Sequence, residues 1–525
     1  MNKEFRNEPF ANFRDAGDIR KMQEALAKVR ADFGREYPMV IAGEKIFTKD
    51  KIRSINPASP TEVVGVTQVA TALQAEQAIA AAADAFESWK KVPANERADY
   101  LFRAAAAMRK KKFELAAVMV YEVGKSWAEA DGDVCEAIDF CDYYAAEALR
   151  YGDGGTCLNW PGENDTLSYV PLGVGVVIPP WNFPLAILTG MTVASWVAGN
   201  TVVLKPSSDS TVIAAKFMEL MEEIGLPKGV VNFVTGGGGK IGDTLVSDAK
   251  TRFISFTGSK AVGLHINELA AKQQKGQKWI KRVIAEMGGK DAIIVDSNAD
   301  VSAAATGVVS SAFGFQGQKC SACSRAIVVA DVYDEFVRQI VEKAKALSVG
   351  PTEDHQNFMG PVVNKKAFES ILGYIEIGKK EGKMVLEQAS RGGDKDGYFI
   401  SPTIFIDVEP EARIAQEEIF GPVLAVIKAR DFDHAIKIAN GTDYGLTGAV
   451  YTKDGAKIEK AKKEFFVGNL YINRKCTGAM VACHPFGGYN MSGTCSKAGG
   501  PDYLHHFMQS KSIAEAVAKG PDGRP

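Results

Sequence analysis

The spacing of apolar positions changes along the chain, and those changes divide it. From about residue 18 to 33 they recur every three or four residues, which predicts an amphipathic helix; a short apolar run over 39–43 predicts a strand. Asn56-Pro-Ala-Ser-Pro60 marks a turn. Helical spacing then fills 73–88 and 96–130, with a break expected near Gly124. It resumes over 133–140, where Glu136 and Phe140 fall on one face. After a loop through 160–165 the pattern becomes short β-branched runs alternating with helical ones. Strands are expected at 201–205, 229–235 and 252–257, helices at 211–224 and 261–273. A second alternation starts at 291–296 and runs to about 470, with helices at 332–346 and 433–440 and a strand at 423–427. Strands that are apolar throughout and separated by helices are covered on both faces, as in a parallel sheet. The chain therefore reads as α/β, with two doubly wound domains meeting near Gly288 and Gly289.

Composition narrows the function classes. A chain of 525 residues is too long for one core. With 46% hydrophobic and 24% charged residues it is not a mainly disordered chain. Sixty-two Lys+Arg against 64 Asp+Glu leave no basic surface for nucleic acid or an anionic membrane. The most apolar helical run, 185–199, is too short to span a bilayer and reads as a buried helix. The first ten residues lack the apolar core of a signal peptide and carry acids that a transit peptide avoids. The eight cysteines are scattered, the first at Cys135, which suits a reducing, cytoplasmic compartment better than a disulfide framework.

The window that invites chemistry is Ser310 to Arg325, where a helical run ends, Gly314 and Gly317 loosen the chain, and Cys320 follows Lys319. A thiol on such a turn can be reached, and the neighbouring cation would favour its thiolate. Taken alone, the window fits an ordinary buried cysteine better. Cys320 and Cys323 form a C-x-x-C pair, but no second Cys or His pair stands at zinc spacing, so no metal site is expected. Gly124-Lys-Ser126 imitates the end of a phosphate-binding loop, yet Met119 stands where its first glycine belongs. Two glycine loops compete for a dinucleotide. Gly237-Gly-Gly-Lys-Ile-Gly242 satisfies G-x-G-x-x-G but no acidic residue ends the next strand; Phe256-Thr-Gly258-Ser-Lys-Ala-Val-Gly263 also follows a strand and opens a helix.

Seven short motifs occur in order: Pro180-Trp-Asn-Phe-Pro184, Leu204-Lys-Pro-Ser207, Phe256-Thr-Gly-Ser259, Glu286-Met-Gly-Gly-Lys290, Gly317-Gln-Lys-Cys320, Glu417-Glu-Ile-Phe-Gly-Pro422 and Pro485-Phe-Gly-Gly488. The set resembles the aldehyde dehydrogenase superfamily over roughly residues 56–502. Lys319-Cys-Ser-Ala-Cys-Ser-Arg325, Asn473-Arg-Lys-Cys-Thr-Gly-Ala479 and the run from Ser492 to Tyr503 place the closest resemblance with its 1-pyrroline-5-carboxylate dehydrogenase subfamily, which oxidises glutamate semialdehyde. Another semialdehyde dehydrogenase, such as the succinic type, is the alternative.

The resemblance implies a cofactor-binding domain over 1–150 and 170–287, a catalytic domain over 288–480, and oligomerisation strands over 151–169 and 504–518. Residues 519–525 read as a disordered tail. It implies Cys320 as nucleophile, Glu286 as base for the hydrolytic water, and the Asn182 amide with the Cys320 backbone N–H as oxyanion donors. NAD is the implied cofactor, held by Pro180, Trp181, Lys205, Ser208, Gly238, Gly258, Ser259, Gly288, Glu418 and Phe420. Ser208 stands where many NAD-preferring relatives carry Glu, so NADP is admitted as well. The resemblance also favours the 258–263 loop for the pyrophosphate and moves 236–239 toward the adenine. For the substrate, Phe183 and Phe486 would enclose the aliphatic middle, and Gly478 and Ala479 would offer backbone N–H groups to a carboxylate. Lys319 and Ser321 would add a charge and a hydroxyl, with Glu136 near the amine or a water. The implied partners are a small aldehyde and further copies of the chain, as a homodimer or higher homo-oligomer.

Overall fold

The computed structural model describes residues 5–155, 157–387, 391–393 and 396–517. The tail expected over 519–525 lies outside them. Two seven-stranded sheets organise the chain, so the α/β expectation holds.

The first sheet runs Arg282–Glu286, Thr251–Thr257, Val174–Ile178, Thr201–Leu204, Val231–Phe233, Met39–Ile41, Glu44–Ile46. Its first five strands are parallel, Met39–Ile41 runs against them, and Glu44–Ile46 pairs antiparallel with Met39–Ile41 in turn. Val202 and Leu204 enter one core and Val203 the other, the two-residue alternation of a strand buried on both faces. From the Val174–Ile178 strand the chain steps outward to Val231–Phe233, then returns to lay Thr251–Thr257 on the opposite side. The order reverses there, and such a reversal opens a crevice at the carboxyl ends of the strands.

The second sheet runs Lys383–Leu386, Thr403–Ile406, Val423–Ala429, Cys323–Val329, Asp291–Val295, Thr447–Tyr451, Asn469–Ile472. Only Lys383–Leu386 runs against the rest. Ile293 and Val295 pack on one face, Ala292 and Ile294 on the other.

Four residues carry the chain from the end of Arg282–Glu286 in the first sheet to the start of Asp291–Val295 at the centre of the second. A Cβ on Gly288 would stand 2.1 Å from Glu418 Oε2, and one on Gly289 would stand 2.4 Å from the Cys320 carbonyl. Only glycine permits that approach. The crossing thus sets the carboxyl edge of one sheet against the amino edge of the other, with Cys320 between them.

Two expectations about element bounds need correction. The helix expected over 96–130 is Ala94–Lys110, Lys112–Val123 and the beginning of Trp127–Gly152. Gly124 makes one break in the left-handed region at φ 68°, as its lack of Cβ allows. The other falls at Lys111, φ −106° and ψ 15°, among basic residues that are all good helix formers and give no warning. The strand expected from Tyr151 begins only at Glu163, because Tyr151 and Gly152 finish the preceding helix. At the other end Tyr503–Phe507 is a 3₁₀ turn, and the strand is Met508–Ala516. These two strands, Glu163–Pro171 and Met508–Ala516, pair antiparallel as a separate two-stranded ribbon. Among the described residues no helix is long and apolar enough to cross a membrane.

Candidate active site

Helix Val301–Phe313 ends in a sharp turn: Phe315, Gln316 and Gly317 all take positive φ, 49°, 57° and 68°. A Cβ on Gly317 would lie 2.3 Å from the Gly421 carbonyl, so this position admits glycine alone. Gln316 Nε2 donates to the Gly124 and Pro361 carbonyls at 3.0 and 2.8 Å, and Gln318 Oε1 accepts from Val363 N at 2.9 Å. The turn is fixed by these buried amides, and three residues later Cys320 faces a cavity of about 460 Å³. Cys323 does not join it. That thiol is 1% exposed inside the second sheet's core, donating to the Arg325 carbonyl at 3.4 Å, so the C-x-x-C spacing brings no pair together at the cavity.

Lys319 does not serve the thiolate as expected. Its Nζ donates to Glu129 at 2.7 Å across the cavity wall. Burial, with Asp291, Glu418 and Glu286 adding negative potential, pushes the Cys320 thiol well above its ordinary value. This environment favours the protonated thiol over the thiolate. Asn182, 4% exposed, donates one Nδ2 hydrogen to the Gln318 carbonyl at 3.1 Å. That bond pins the amide beside the Cys320 turn and leaves its second N–H to be used.

Glu286 ends its strand inside the same cavity. Its Oε1 accepts from the Ser496 hydroxyl at 2.6 Å and the Ser496 N–H at 3.1 Å, and its Oε2 from the Gly488 N–H at 3.2 Å. Burial pushes the carboxyl up to about 7, with the Ser496 hydroxyl the largest opposing influence. A carboxylate poised there can take a proton at neutral pH.

Phe183, Lys319, Ser321, Gly478, Ala479, Phe486 and Glu136 all line this one cavity, although they come from five separate stretches of chain. Gly478 takes φ 81°, and Arg474 Nη2 grips the turn by donating to the carbonyls of Thr477 and Gly478 at 3.0 and 3.1 Å. Among the described residues no group accepts from the Gly478 or Ala479 N–H. Burial, then Asp133, pushes Glu136 up to about 8.

The cofactor candidates gather along the carboxyl edge of the first sheet. Among the described residues Lys205, 5% exposed, donates only to the carbonyls of Pro206 and Gly236, at 3.1 and 3.3 Å, and burial lowers it to about 8. Glu418 accepts one bond, from Gly289 N at 3.0 Å, and burial raises it to about 7. Lys205 is buried and Glu418 half-buried, and among the described residues both have hydrogen-bonding capacity to spare, which suits hydroxyls of a bound ribose. Ser259 caps helix Lys260–Ala271 by accepting from Val262 N at 3.5 Å, so its own proton points elsewhere and the helix dipole favours an anion. Positions where a Cβ on Gly237, Gly238 or Gly239 would stand are open space. Trp181 and Phe420 meet edge to face at 5.5 Å. Ser208 is half-buried just after Lys205, and the neighbouring Asp209 is engaged by Asn364 at 2.9 Å. This set of donors, acceptors and open glycine backbone fits a dinucleotide.

Residues 46–513 match the model of the aldehyde dehydrogenase family. The chain belongs to that family. It is 56% identical over 515 residues to the 1-pyrroline-5-carboxylate dehydrogenase of Geobacillus sp. (strain WCH70), covering 98% of this chain and all of that one. To the enzyme of the same name from Bacillus subtilis (strain 168) it is 54% identical over 516 residues, again covering 98% and 100%. A crystal structure of 1-pyrroline-5-carboxylate dehydrogenase from Thermus with bound NAD superposes with a TM-score of 0.97 at 52% identity, covering 98% of this chain and 100% of that one. Betaine aldehyde dehydrogenase from Staphylococcus aureus, solved with NAD+, superposes with a TM-score of 0.87 at 29% identity, over 95% and 98% of the two chains.

Within this aldehyde dehydrogenase fold, sequence reasoning missed several site residues. Glu129 stands seven before Glu136 on one helix face, a spacing that could have revealed it. Ser496, Lys475 and His484 sit in loops whose neighbours in space are distant in sequence. Phe10 and Ala11 also line the cavity, although the family model begins only at residue 46.

Proposed function

We propose that the chain oxidises L-glutamate 5-semialdehyde, the open form of 1-pyrroline-5-carboxylate, to L-glutamate in proline degradation, with NAD as hydride acceptor. The observation that carries this is the single cavity that holds the Cys320 thiol, the Glu286 carboxylate and the Gly478–Ala479 turn. The relatives' names support the substrate.

The α-carboxylate binds the N–H groups of Gly478 and Ala479, and Phe183 and Phe486 flank the aliphatic middle. Cys320 Sγ attacks the carbonyl carbon, losing its proton to water as the C–S bond forms, and the oxygen becomes an oxyanion. The Asn182 amide and the Cys320 N–H receive that charge; removing one such donor costs about a hundred- to a thousandfold in rate. NAD, when bound, would supply the hydride acceptor needed to oxidise the adduct to the thioester level. Lys205 and Glu418 would hold its riboses, Ser259 and the first helical turn its pyrophosphate, with Pro180, Trp181, Gly238, Gly258, Gly288 and Phe420 shaping the groove. Glu286 then takes a proton from water, whose oxygen attacks the thioester and expels Cys320. With Ser208 beyond Lys205, NADP is admitted beside NAD.

Two copies pair through the ribbon Glu163–Pro171/Met508–Ala516, whose last strand is exposed at every position but its first. Eight free thiols suit a reducing cytoplasm. The test is turnover by purified protein, following absorbance of the reduced cofactor. Specificity anchored on a carboxylate leaves the Gly478 and Ala479 N–H groups unpaired by substrate when it is missing, so kcat/KM for glutamate semialdehyde exceeds that for pentanal by about a hundredfold or more. Equal use of both aldehydes would overturn the assignment.

A further inference from the structure

The amino-terminal segment, residues 5–13, is bound along helix Trp127–Gly152 by a row of its side chains. Asp131, Cys135 and Asp139 stand four residues apart on that helix and so form one ridge. Asp139 accepts from the Glu8 N–H at 2.6 Å and from Asn7 Nδ2 at 2.8 Å, and Asp131 accepts from the Ala11 N–H at 2.8 Å. Both carboxylates are 2% exposed. Lys112, paired with Asp131 at 3.1 Å, donates to the Pro9 carbonyl at 2.7 Å. Phe13 packs edge to face on Trp127 and Phe5 on Tyr143. The adjoining ridge of the same helix, Gly132, Glu136 and Phe140, lines the cavity. Asn7 also donates to the Val481 carbonyl at 3.1 Å, two residues beyond Ala479, so the segment bridges the helix and the loop that carries the anchor turn. At the middle of this span Phe10 and Ala11 reach the cavity, the Phe10 ring lying over Gly132 with Cε1 3.9 Å from where a Cβ would stand.

We propose that Phe10 and Ala11 form a wall of the substrate cavity that limits how long an aldehyde the site accepts. The inference rests on the reading of this cavity as the aldehyde site. An aldehyde held at Cys320 lies in the cavity that Phe10 and Ala11 line, so lengthening its chain brings the far end toward that rim. The segment lies outside residues 46–513, which the family model matches.

Phe10 is 59% exposed, so its truncation removes little from the core. The readout is the ratio of kcat/KM for octanal to that for pentanal, which does not depend on the carboxylate anchor. Phe10→Ala should raise this ratio about tenfold, and Ala11→Leu, adding bulk at the same rim, should lower it. Thermal melting and NAD titration of both variants establish that each is folded with an intact cofactor groove. Ratios equal to wild type in folded variants would overturn the inference; opposite movements of the ratio in the two variants support it. Failure of the wild-type enzyme to prefer glutamate semialdehyde would instead overturn the substrate reading and leave the ratio as the test of the wall. If Phe10→Ala does not fold, an unchanged ratio in Ala11→Leu alone suffices to reject the wall.

Discussion

Removing the Ser496 hydroxyl should move the pH dependence of turnover without blocking hydride transfer. Glu286 sits at about 7 because burial raises it while the Ser496 hydroxyl, 2.6 Å from Oε1, pulls it down. A hydrogen bond to a charged group contributes about 1.5–3 kcal/mol, and one pKa unit corresponds to about 1.4 kcal/mol. Ser496→Ala therefore raises the Glu286 carboxyl by about one to two units, the N–H groups of Ser496 and Gly488 still holding it. The sign follows from the chemistry. Below its pKa Glu286 is protonated and cannot accept a proton from water, so thioester hydrolysis rises with pH and levels off above it. In wild type that limb should centre near 7, where burial places the Glu286 carboxyl; in the variant it should centre about one to two units higher, leaving about five- to fiftyfold less turnover at neutral pH. Rapid mixing separates the stages. Both enzymes should show an initial burst of reduced cofactor, followed in the variant by slow, pH-dependent turnover. Glu286→Gln should keep the burst and lose the limb altogether. A limb at the same pH in wild type and Ser496→Ala would refute the electrostatic argument, and a limb that survives Glu286→Gln would remove Glu286 from the hydrolytic step.

Cys320→Ala should abolish aldehyde oxidation while the protein still melts cooperatively and binds NAD, whereas Cys323→Ala, altering only a buried strand position, should keep activity within a few-fold and lose roughly 1 kcal/mol of stability by denaturant titration. Ser208→Glu should cut the NADP-to-NAD ratio of kcat/KM by about tenfold or more, because a carboxylate there repels a 2′-phosphate; an unchanged ratio rejects that placement.

The sequence reveals what depends on local periodicity. The two sheets were legible in outline because strands covered on two faces, such as Thr201–Leu204 and Asp291–Val295, read as short apolar runs, although the equally buried Val174–Ile178, Thr403–Ile406 and Thr447–Tyr451 were not among the expected strands. Where a partner lies far away in sequence, the pattern is silent. Lys319 beside Cys320 reads as a cation for the thiolate, yet its charge is taken by Glu129, 190 residues earlier. The C-x-x-C spacing reads as a pair, yet the strand that starts at Cys323 turns that thiol into the core. Local spacing shows which side chains are near one another along the chain but not toward which face the fold turns them.

The same limit explains why the segment before residue 46 gave no functional signal. Its contribution depends on Asp131 and Asp139, carboxylates that on their own helix look like any polar face and that accept from backbone N–H groups more than a hundred positions earlier, beside Lys112 for Asp131 and the Asn7 amide for Asp139. Burying a carboxylate without such donors costs several kcal/mol, so helix and segment are chosen together: the acids hold the segment, and the segment makes the acids tolerable. Where such mutual satisfaction borders a cavity, as at Phe10 and Ala11, the residues that shape the ligand's surroundings come from a stretch with no catalytic motif of its own. On the reading proposed above, specificity follows from how the cavity is enclosed, and chemistry from the four-residue crossing that sets Glu286 and Cys320 between the two sheets.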